Sequence, residues 1–526
     1  MGARTSSVPA TARADSPSIG ARLDDWTRQL AAVDWTPWMI IALGAFLRLL
    51  LLAIKPPHFD EGINGWFVDQ MTKNGFYRYD PTNYHGPFHF YVLFLSQTLL
   101  GRNLWALRLP VVFASIFCIR LTLNFEPVIG RNISRWAAIA MAVSPGFVFY
   151  GRYAIHEVWM LMFSMLFVLG LVGLWKVGTR NYLWCLGMGI TGMILTKETY
   201  IIHLACAALA APVTWLSQKI TPVSDGERAT PTWNYVDLAL VLLAGVAAIV
   251  VFYSGTFLHM NGLRGLYQTF DAWFKTGSNG NGHEKAWWYW LMLLGRYEAA
   301  AAIGLLACAL CQFFGNIGVR YIAIYGSGTL VAYSIVHYKT PWCIISIAWP
   351  FLFIFGAAGV FLAARYQRVA YAIAGLVLAV SLGLCVRLNY FRCTTDTEPY
   401  VYVQTYNDIS KLTDPLLKLA RRNPVYYQLV GHIIRTSAYP LPWILGDFTK
   451  LGYYEKDNMP STLDADFLLV QEDKIATVEE KLHGSYYTMP LTIRPYQDTS
   501  KLYLSAKVFK EFFPGKVPDF AGRTSG

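Results

Sequence analysis

The stretch GPFHFYVLFLSQTLLG, residues 86–101, decides the topology of the chain. It is apolar, but it is short, rich in Phe and Tyr, and carries His89, Ser96 and Gln97. A membrane-spanning helix needs about 20 predominantly apolar residues, and shorter apolar stretches are more often interfacial or re-entrant. We therefore predict that residues 86–101 do not cross the membrane.

Eleven other apolar runs are predicted to span. They cover residues 38–55, 107–125, 136–150, 158–176, 181–196, 199–217, 236–257, 290–314, 321–337, 343–363 and 369–389. With residues 86–101 left out, one side of the membrane receives Arg131, Arg135, Lys176, Arg180, Lys219, Arg228, Arg320, Arg365 and Arg368. By the positive-inside rule this side is the cytoplasm. Counting residues 86–101 as a span would place the same side chains outside.

The composition agrees with a membrane protein. Of 526 residues, 55% are hydrophobic and 15% are charged, whereas soluble domains are about 45–50% apolar. The net charge of +11 comes from basic residues spread between the apolar runs before residue 396. Nucleic-acid binding needs them clustered on one polar face, so we predict no nucleic-acid partner. The eight cysteines lie in or beside apolar runs, which argues against a disulfide framework.

Three regions follow from this topology. Residues 1–35 are polar and lack the apolar segment of a signal peptide, which predicts a disordered cytoplasmic tail. Residues 36–390 form a transmembrane domain of about 11 helices. Residues 391–526 are polar and lie outside the cytoplasm, and their short apolar stretches alternate with charged, helix-compatible stretches. This last pattern predicts a small α/β domain, while the fold class as a whole is mainly α.

The first outer loop opens with PPHFDEG, which places His58, Asp60 and Glu61 directly after the first span. Adjacent carboxylates point in different directions, so one can act as a general base while the other binds a metal ion or a hydroxyl. The alternative is a solvated helix cap with Asp60 as the capping residue. His85 lies on a turn of the same loop and is either a metal ligand or a surface histidine.

Further polar residues lie at other outer helix ends. In residues 144–159, Arg152 and His156 stand at i and i+4, as do Tyr153 and Glu157. This spacing on a helix gives one cationic face and one phenol-carboxylate face. Arg152 can instead pair with Glu157 or reach the lipid headgroups.

Two short motifs complete the outer set, TKE at residues 196–198 and HYKTPW at residues 337–342. We infer that Arg152, Lys197 and Lys339 converge on a lipid-linked phosphate, although Lys339 could be only an interfacial anchor. Residues 261–290 combine an amphipathic stretch, a Gly/Asn-rich run and His283, which fits a mobile lid or a plain loop with an aromatic belt.

The motifs HFDEG, GFYRYDPTNYHGPFHFY, SPGFVFYGRYAIHE, TKE and YKTPW, in this order, resemble the flippase-activity-associated membrane protein family of archaea and bacteria. That family is part of the GT-C glycosyltransferase superfamily, with the protein O-mannosyltransferases and the aminoarabinose transferase of lipid A. The resemblance covers about residues 38–450. It implies a GT-C fold with two in-plane helices in the first outer loop, at residues 62–74 and 86–101.

The resemblance also implies a function. The protein it implies is a membrane glycosyltransferase that moves a sugar from a polyprenyl-phosphate donor to an acceptor hydroxyl outside the cytoplasm, inverting the anomeric carbon. The acidic position of the superfamily's first loop falls on Asp60, with Glu61 beside it, and that of the second loop falls on Glu157. These three residues are the predicted catalytic residues. The alternative function is a non-catalytic flippase-associated or polyprenyl-lipid transport protein.

The remaining expectations concern ligands and location. Predicted substrate-binding residues are His58, Tyr84, Arg152, Tyr153, Lys197, Glu198, His337 and Lys339, and predicted metal ligands are His85 and His283. A divalent metal ion is a candidate cofactor. The expected partners are a polyprenyl-phosphate-linked sugar, a glycan, lipid or protein acceptor, and membrane lipids. The expected location is the plasma (inner) membrane, with the active site and the C-terminal domain on the extracytoplasmic side.

Overall fold

The structure is a computed structural model that describes residues 33–83, 85–223, 229–279, 282–455 and 458–521. Most of the predicted tail, residues 1–35, lies outside the described residues, and so does Tyr84. The helices before the C-terminal region are α1 (Thr36–Leu49), α2 (Phe59–Asn74), α3 (Phe88–Leu100), α4 (Leu104–Asn124), α5 (Glu126–Ile129), α6 (Arg131–Val143), α7 (Pro145–Tyr150), α8 (Glu157–Lys176), α9 (Arg180–Ile194), α10 (Tyr200–Ile220), α11 (Tyr235–Tyr253), α12 (Gly262–Asn279), α13 (Tyr289–Tyr297), α14 (Ala299–Ala307), α15 (Cys311–Phe314), α16 (Ile317–Ile335) and α17 (Ile344–Val386).

All eleven predicted runs are mainly helical, which confirms the mainly α fold class. The last two runs are two helices that meet in α17 at a kink at Tyr366, where the backbone leaves the helical region (φ −134°, ψ 64°). Among the described residues, five segments are long and apolar enough to cross a membrane: Leu104–Ile129, Glu157–Lys176, Tyr200–Ile220, Tyr235–Tyr253 and Pro341–Phe391. The chain is a multi-pass membrane protein. The number of crossings and their direction stay predictions.

The first loop contains two short helices, α2 and α3, in the positions that the resemblance implies. Helix α3 has 13 residues, which gives a length of about 20 Å, against roughly 30 Å for the hydrocarbon core of a bilayer. Its Leu95 and Leu99 are exposed, whereas Ser96 and Gln97 are buried against the protein. A short helix with one apolar outer face is typical of a helix that lies in the membrane surface.

The C-terminal region folds around one mixed six-stranded sheet, in the order β2-β1-β3-β5-β4-β6. The strands are β1 (Val430–Ile434), β2 (Lys450–Tyr454), β3 (Phe467–Gln471), β4 (Ser485–Leu491), β5 (Ser500–Ser505) and β6 (Phe520–Ala521), and the helices are α18 (Ser410–Arg422), α19 (Leu441–Ile444), α20 (Ile475–Glu479) and α21 (Ala506–Phe509). Strand β1 is parallel to β2 and β3, and the other pairs are antiparallel. This arrangement confirms a small C-terminal α/β domain.

The two faces of this sheet have separate apolar cores, since neighbouring residues of a strand point to opposite faces. Ile433 packs with Leu416 of α18 on one face, while Ile434 packs with Val478 of α20 on the other. Both faces are therefore covered, and the domain needs no further partner to bury them.

The C-terminal domain docks on α2 through two glycines, Gly62 and Gly65. A Cβ atom at Gly62 would lie 2.5 Å from Pro440, and one at Gly65 would lie 2.4 Å from the Trp443 ring of α19. Any larger side chain at either position would push the two elements apart. This close approach brings the C-terminal domain beside the N-terminal end of α2, where Asp60 lies.

Candidate active site

A cavity of about 680 Å³ opens where several helix ends meet the C-terminal domain. Its size is within the range of about 300–1,000 Å³ that is usual for small-molecule sites. Acidic, basic and histidine side chains from six separate segments line it: Asp60, His85, His156, Glu157, Lys197, Glu198, His283, Lys285 and Arg494. Aromatic side chains complete the wall, among them Trp273, Trp290, Tyr333, Trp342 and Tyr402. The cavity is therefore the candidate active site.

At the entrance to α2, His58 and Glu61 form the helix cap. The Nδ1 atom of His58 accepts a hydrogen bond from the Asp60 N–H (3.1 Å), and Glu61 Oε2 accepts one from the His58 N–H (2.8 Å). The capping residue is therefore His58, and the alternative that Asp60 caps the helix is wrong. His58 is buried behind the wall, where burial lowers its pKa below the ordinary histidine value. Its position corrects the prediction that His58 contacts substrate.

Asp60 faces the cavity, and its side chain is 31% exposed. Its carboxylate accepts no hydrogen bond from any residue that the structure describes, and the nearest histidine atom, His58 Nδ1, is 3.8 Å away. Because the other polar groups at this helix end serve the cap, Asp60 is left available to a ligand.

Glu61 points the opposite way and is fully buried in an ion pair with Arg108. Arg108 donates from Nε to Oε1 (2.8 Å) and from Nη2 to Oε2 (2.7 Å), and Oε1 also accepts from the Ala154 N–H (2.9 Å). Burial by itself raises the pKa of Glu61, but Arg108 and the backbone N–H donors outweigh it and hold the pKa below its ordinary value. Glu61 does not line the cavity, which corrects the prediction that it is catalytic.

The opposite wall is formed by two motifs that pair through their backbones. His85 forms an antiparallel bridge with Lys197, and the Gly86 N–H donates to Thr196 O (3.0 Å). A Cβ atom on Gly86 would lie 2.2 Å from the Leu195 carbonyl oxygen, so only glycine permits this contact. The HGP turn of the first loop is thus fixed to the TKE motif between α9 and α10.

These motifs place one ion pair and one histidine–carboxylate hydrogen bond in the wall. Lys197 Nζ donates to Glu157 Oε1 (2.5 Å), and His85 Nδ1 lies 3.2 Å from Glu198 Oε2. Burial disfavours the charged form of Lys197, but Glu157 and Glu198 raise its pKa well above the ordinary lysine value. Glu157, Lys197 and Glu198 all line the cavity, and their predicted roles there stay predictions.

Arg152 and Tyr153 do not reach the cavity. Residues 151–156 form a non-helical link between α7 and α8, so the predicted i, i+4 faces do not exist. Arg152 Nη2 donates to the backbone oxygens of Leu50 and Leu51 (2.9 and 2.7 Å). The Tyr153 hydroxyl donates to Gln404 (2.6 Å). Both side chains hold the loops behind the site together, which corrects their prediction as substrate contacts.

The segment after α16 also differs from the prediction. His337 is exposed and does not line the cavity, and Lys339 Nζ donates to backbone oxygens of Lys285 (3.2 Å) and Val336. Of Arg152, Lys197 and Lys339, only Lys197 lines the cavity. The predicted convergence of these three cations is therefore wrong.

Residues 282–285, part of the predicted lid, are tied to residues 337–339. Glu284 forms an antiparallel bridge with Tyr338, and the Lys339 N–H donates to His283 O (3.1 Å). The His283 Nδ1 atom is hydrogen-bonded to the Tyr402 hydroxyl (2.7 Å). Burial lowers the pKa of His283, and nearby Lys285 and Arg494 lower it further, against the opposing effect of Asp60.

Arg494 was not predicted from the sequence, and it reaches the cavity from the segment between β4 and β5. Its guanidinium lies over the Phe59 ring (3.7 Å to the centroid). Burial lowers the pKa of Arg494 to about 10, with Asp60 acting in the opposite direction, so it is protonated at neutral pH. Its Nε atom is buried and has no hydrogen-bond partner among the described residues.

Arg435 of the C-terminal domain holds this segment in place. Its guanidinium donates to Gln497 Oε1 (3.0 Å) and to Ser500 Oγ (2.9 Å). Residues 494–497 all line the cavity. The C-terminal domain is thus part of the candidate site, a role that was not predicted from its sequence.

The predicted metal ligands do not form a recognisable metal site. His85 and His283 both line the cavity, but no group of three or more His, Cys, Asp or Glu side chains suited to a metal gathers among the residues that the structure describes. His85 is instead paired with Glu198, and His283 with Tyr402. A divalent cofactor stays a prediction.

Known proteins resemble this chain in sequence over one region and in fold over most of its length. A model of the dolichyl-phosphate-mannose-protein mannosyltransferase family matches residues 84–252. No curated protein sequence matches the chain.

Among solved structures, ArnT from Cupriavidus metallidurans bound to undecaprenyl phosphate has a TM-score of 0.59 and 14% identity, covering 89% of this chain and 98% of that one. ArnT in the apo state has a TM-score of 0.55 and 14% identity, covering 93% and 99%. The Archaeoglobus fulgidus oligosaccharyltransferase with a tethered acceptor peptide has a TM-score of 0.48 and 12% identity, covering 89% and 73%.

The fold and the cavity therefore define a multi-pass membrane protein with the GT-C architecture. The family match over residues 84–252 and the fold shared with ArnT agree with the predicted resemblance to the GT-C glycosyltransferases.

Proposed function

We propose that the protein transfers a sugar from a polyprenyl-phosphate donor to an acceptor hydroxyl on the extracytoplasmic side of the plasma membrane, with inversion of the anomeric carbon. The observation that carries this proposal is Asp60, whose free carboxylate shares the cavity with Lys285 and Arg494. The fold supports the donor class, since ArnT, which has a similar fold, binds undecaprenyl phosphate.

In this reaction Asp60 is the general base. Its carboxylate takes the proton of the acceptor hydroxyl while the oxygen bonds to the anomeric carbon, and the bond from that carbon to the phosphate oxygen breaks. The sugar leaves as a glycoside of the acceptor, and polyprenyl phosphate leaves with one more negative charge than the donor carried. General-base assistance contributes roughly 10²- to 10⁴-fold in rate.

Arg494 and Lys285 are suited to stabilise that added charge. Arg494 has an unpartnered Nε donor, and Lys285 Nζ lies 5.5 Å from the centroid of the Tyr402 ring. Lys197 is less available, because Glu157 already accepts its hydrogen bond. Fixed cations in a site with little water act on developing charge without reorganisation. No step of the proposal uses a metal ion.

Transport without catalysis is the alternative, and the arrangement of buried charge does not favour it. A transport path needs charged groups within the membrane that can engage cargo. Arg48 of α1 is such a buried charge, but its donors are taken by Ser115 Oγ (2.7 Å) and by carbonyl oxygens of Gly44, Ala142 and Met141. Its bonds fix α1 to α4 and α6.

The test is cleavage of a donor by the purified protein in detergent. A polyprenyl-phosphate sugar labelled in both the sugar and the lipid is incubated with the protein, with and without an acceptor glycan. We expect release of labelled polyprenyl phosphate, including slow hydrolysis when water is the only acceptor. Intact donor after prolonged incubation, together with donor movement across the bilayer of protein-containing vesicles, would instead establish transport.

A further inference from the structure

A second cleft of about 720 Å³ lies between the first loop and the C-terminal domain. Helix α2 contributes Trp66 and Asp69 to it, and α3 contributes Gln97. The C-terminal domain contributes Asp447, and Tyr453 of the edge strand β2. None of these residues lines the candidate active site.

The lining of the cleft combines aromatic rings with planar polar groups. Trp66 is half-buried and Tyr453 is 37% exposed, and neither the Trp66 Nε1 atom nor the Tyr453 hydroxyl is hydrogen-bonded to a described residue. Pyranose rings present apolar C–H faces, which pack on aromatic rings, and hydroxyls, which pair with carboxylate and amide groups. This combination of side chains suits a saccharide.

Arg102 fixes the carboxylates of the cleft. It donates to both oxygens of Asp69 (2.9 Å each) and lies 3.4 Å from Asp447 Oδ2. Among the described residues, the lining of the cleft has three carboxylates and two cations, with Glu455 and Lys73 as the remaining members. Such a lining does not attract a phosphate or an anionic headgroup, which favours a neutral ligand.

Gln97 gives independent support for a ligand. The residue is 8% exposed and lines the cleft, yet its Nε2 atom has no hydrogen-bond partner among the described residues. A buried polar group without a partner costs about 1–3 kcal/mol. A ligand hydroxyl can accept from this amide once the side chain adjusts.

The cleft and the active-site cavity follow the same helix. Asp60 lies at the start of α2, and Trp66 lies six positions further along, which is about 9 Å at the rise of an α-helix. Two aromatic rings separate the cavity from the cleft. Phe59 lines the cavity and Tyr439 lines the cleft, and their rings are in contact (6.0 Å between centroids). A short saccharide chain is long enough to pass this contact.

We propose that this cleft binds a neutral oligosaccharide and holds it as the acceptor, with the end of the chain directed toward Asp60. The assignment of the ligand as acceptor rests on the proposed function, whereas saccharide binding by the cleft does not.

The test measures binding of the purified full-length protein to an array of neutral oligosaccharides that also carries phosphorylated glycans and a basic peptide. We expect saturable binding of a neutral oligosaccharide by the wild type, at least 10-fold weaker binding by Trp66→Ala and Tyr453→Ala, and unchanged binding by Trp287→Ala. Trp287 is an exposed aromatic residue that lines neither space. Melting temperatures establish that each variant is folded. Tyr453→Ala is the variant least at risk of misfolding, because Tyr453 is partly exposed.

Three results would overturn the proposal: no saturable binding of any neutral oligosaccharide by the wild type, binding unaffected by both cleft variants, or preferential binding of the phosphorylated glycans or the basic peptide. Donor cleavage and oligosaccharide binding, measured separately on the wild type, distinguish this inference from the proposed function. Oligosaccharide binding without donor cleavage by the wild type would contradict the transferase alone. Donor cleavage without oligosaccharide binding would contradict the cleft alone.

Discussion

At the start of α2, two neighbouring carboxylates face different regions of the molecule. Asp60 lines the cavity and accepts no hydrogen bond from a described residue. Glu61 is fully buried and accepts hydrogen bonds from two nitrogens of Arg108, Nε and Nη2. The sequence presents them as one acidic pair. The hydrogen-bond partners therefore decide the role of each carboxylate, since a carboxylate already paired in the fold is not free to accept a proton from substrate.

The largest effect is expected from Asp60→Asn. If Asp60 is the general base, this change lowers the turnover of sugar transfer by roughly 10²- to 10⁴-fold. It leaves stability nearly unchanged, because no described residue donates a hydrogen bond to the carboxylate. Transfer rates and melting temperatures of the same preparations measure both effects. Turnover near that of the wild type would remove Asp60 from the role.

Glu61→Gln should give the opposite pattern. Removing one member of a buried ion pair costs about 3–5 kcal/mol in the free energy of unfolding, because Arg108 is left without a counter-charge. Denaturant unfolding measures the loss, and the protein that remains folded should keep turnover.

The matched control for this change is Glu126→Gln. Glu126 forms an exposed pair with Arg131, with side chains 51% and 54% exposed, and such pairs contribute only about 0–1 kcal/mol. Equal losses of stability in the two variants would contradict the structural role of Glu61.

Arg494→Ala tests the contribution of a cation in the cavity. A hydrogen bond to a charged group contributes about 1.5–3 kcal/mol, so we expect kcat/KM for the donor to fall roughly 10- to 100-fold. Arg494→Lys should recover part of the loss, because it restores the charge without the planar fork. Arg421→Ala, on the exposed end of α18, is the control in the same domain. Steady-state kinetics with varied donor test all three variants.

The smallest effect concerns His58, which caps the helix between the two environments. Burial lowers its pKa in the folded state below the ordinary histidine value of about 6.5, so below about pH 6.5 the unfolded chain binds a proton that the folded protein does not. Stability therefore falls as the pH is lowered through this range, by at most about 1.4 kcal/mol per pH unit for one group.

The variant His58→Asn isolates this contribution, because Asn retains a capping oxygen but does not titrate. Melting temperatures between pH 7.5 and 5.5 should fall less steeply in the variant than in the wild type. A steeper fall in the variant would contradict the assignment.

The parts of the fold that the bilayer dictates were predictable from the sequence. The long apolar runs are helical and residues 86–101 form a short helix, because a lipid environment requires long apolar helices and leaves a recognisable pattern. In the candidate site, the predicted residues Asp60, His85, Glu157, Lys197, Glu198 and His283 all line the cavity. These residues lie at helix ends or on short loops, where polar groups are conspicuous among apolar ones.

What the sequence could not reveal depends on contacts between distant segments. Arg494 lines the same cavity as Asp60 because Gly62 and Gly65 allow Pro440 and Trp443 to pack against α2, and no local sequence pattern predicts that docking. The error at Arg152 has a different cause, since the i, i+4 rule holds only on a continuous helix and the chain is not helical between α7 and α8. Spacing rules therefore failed where a helix was interrupted.

The most direct test of the account is a structure of the protein with a non-cleavable polyprenyl-phosphate sugar analogue. We predict that the sugar occupies the cavity of about 680 Å³, with its phosphate beside Arg494 and Lys285. The Asp60 carboxylate should face the anomeric carbon from the side opposite the phosphate, leaving room for an acceptor hydroxyl between them. A donor bound outside this cavity, or a phosphate placed against Asp60, would contradict the account.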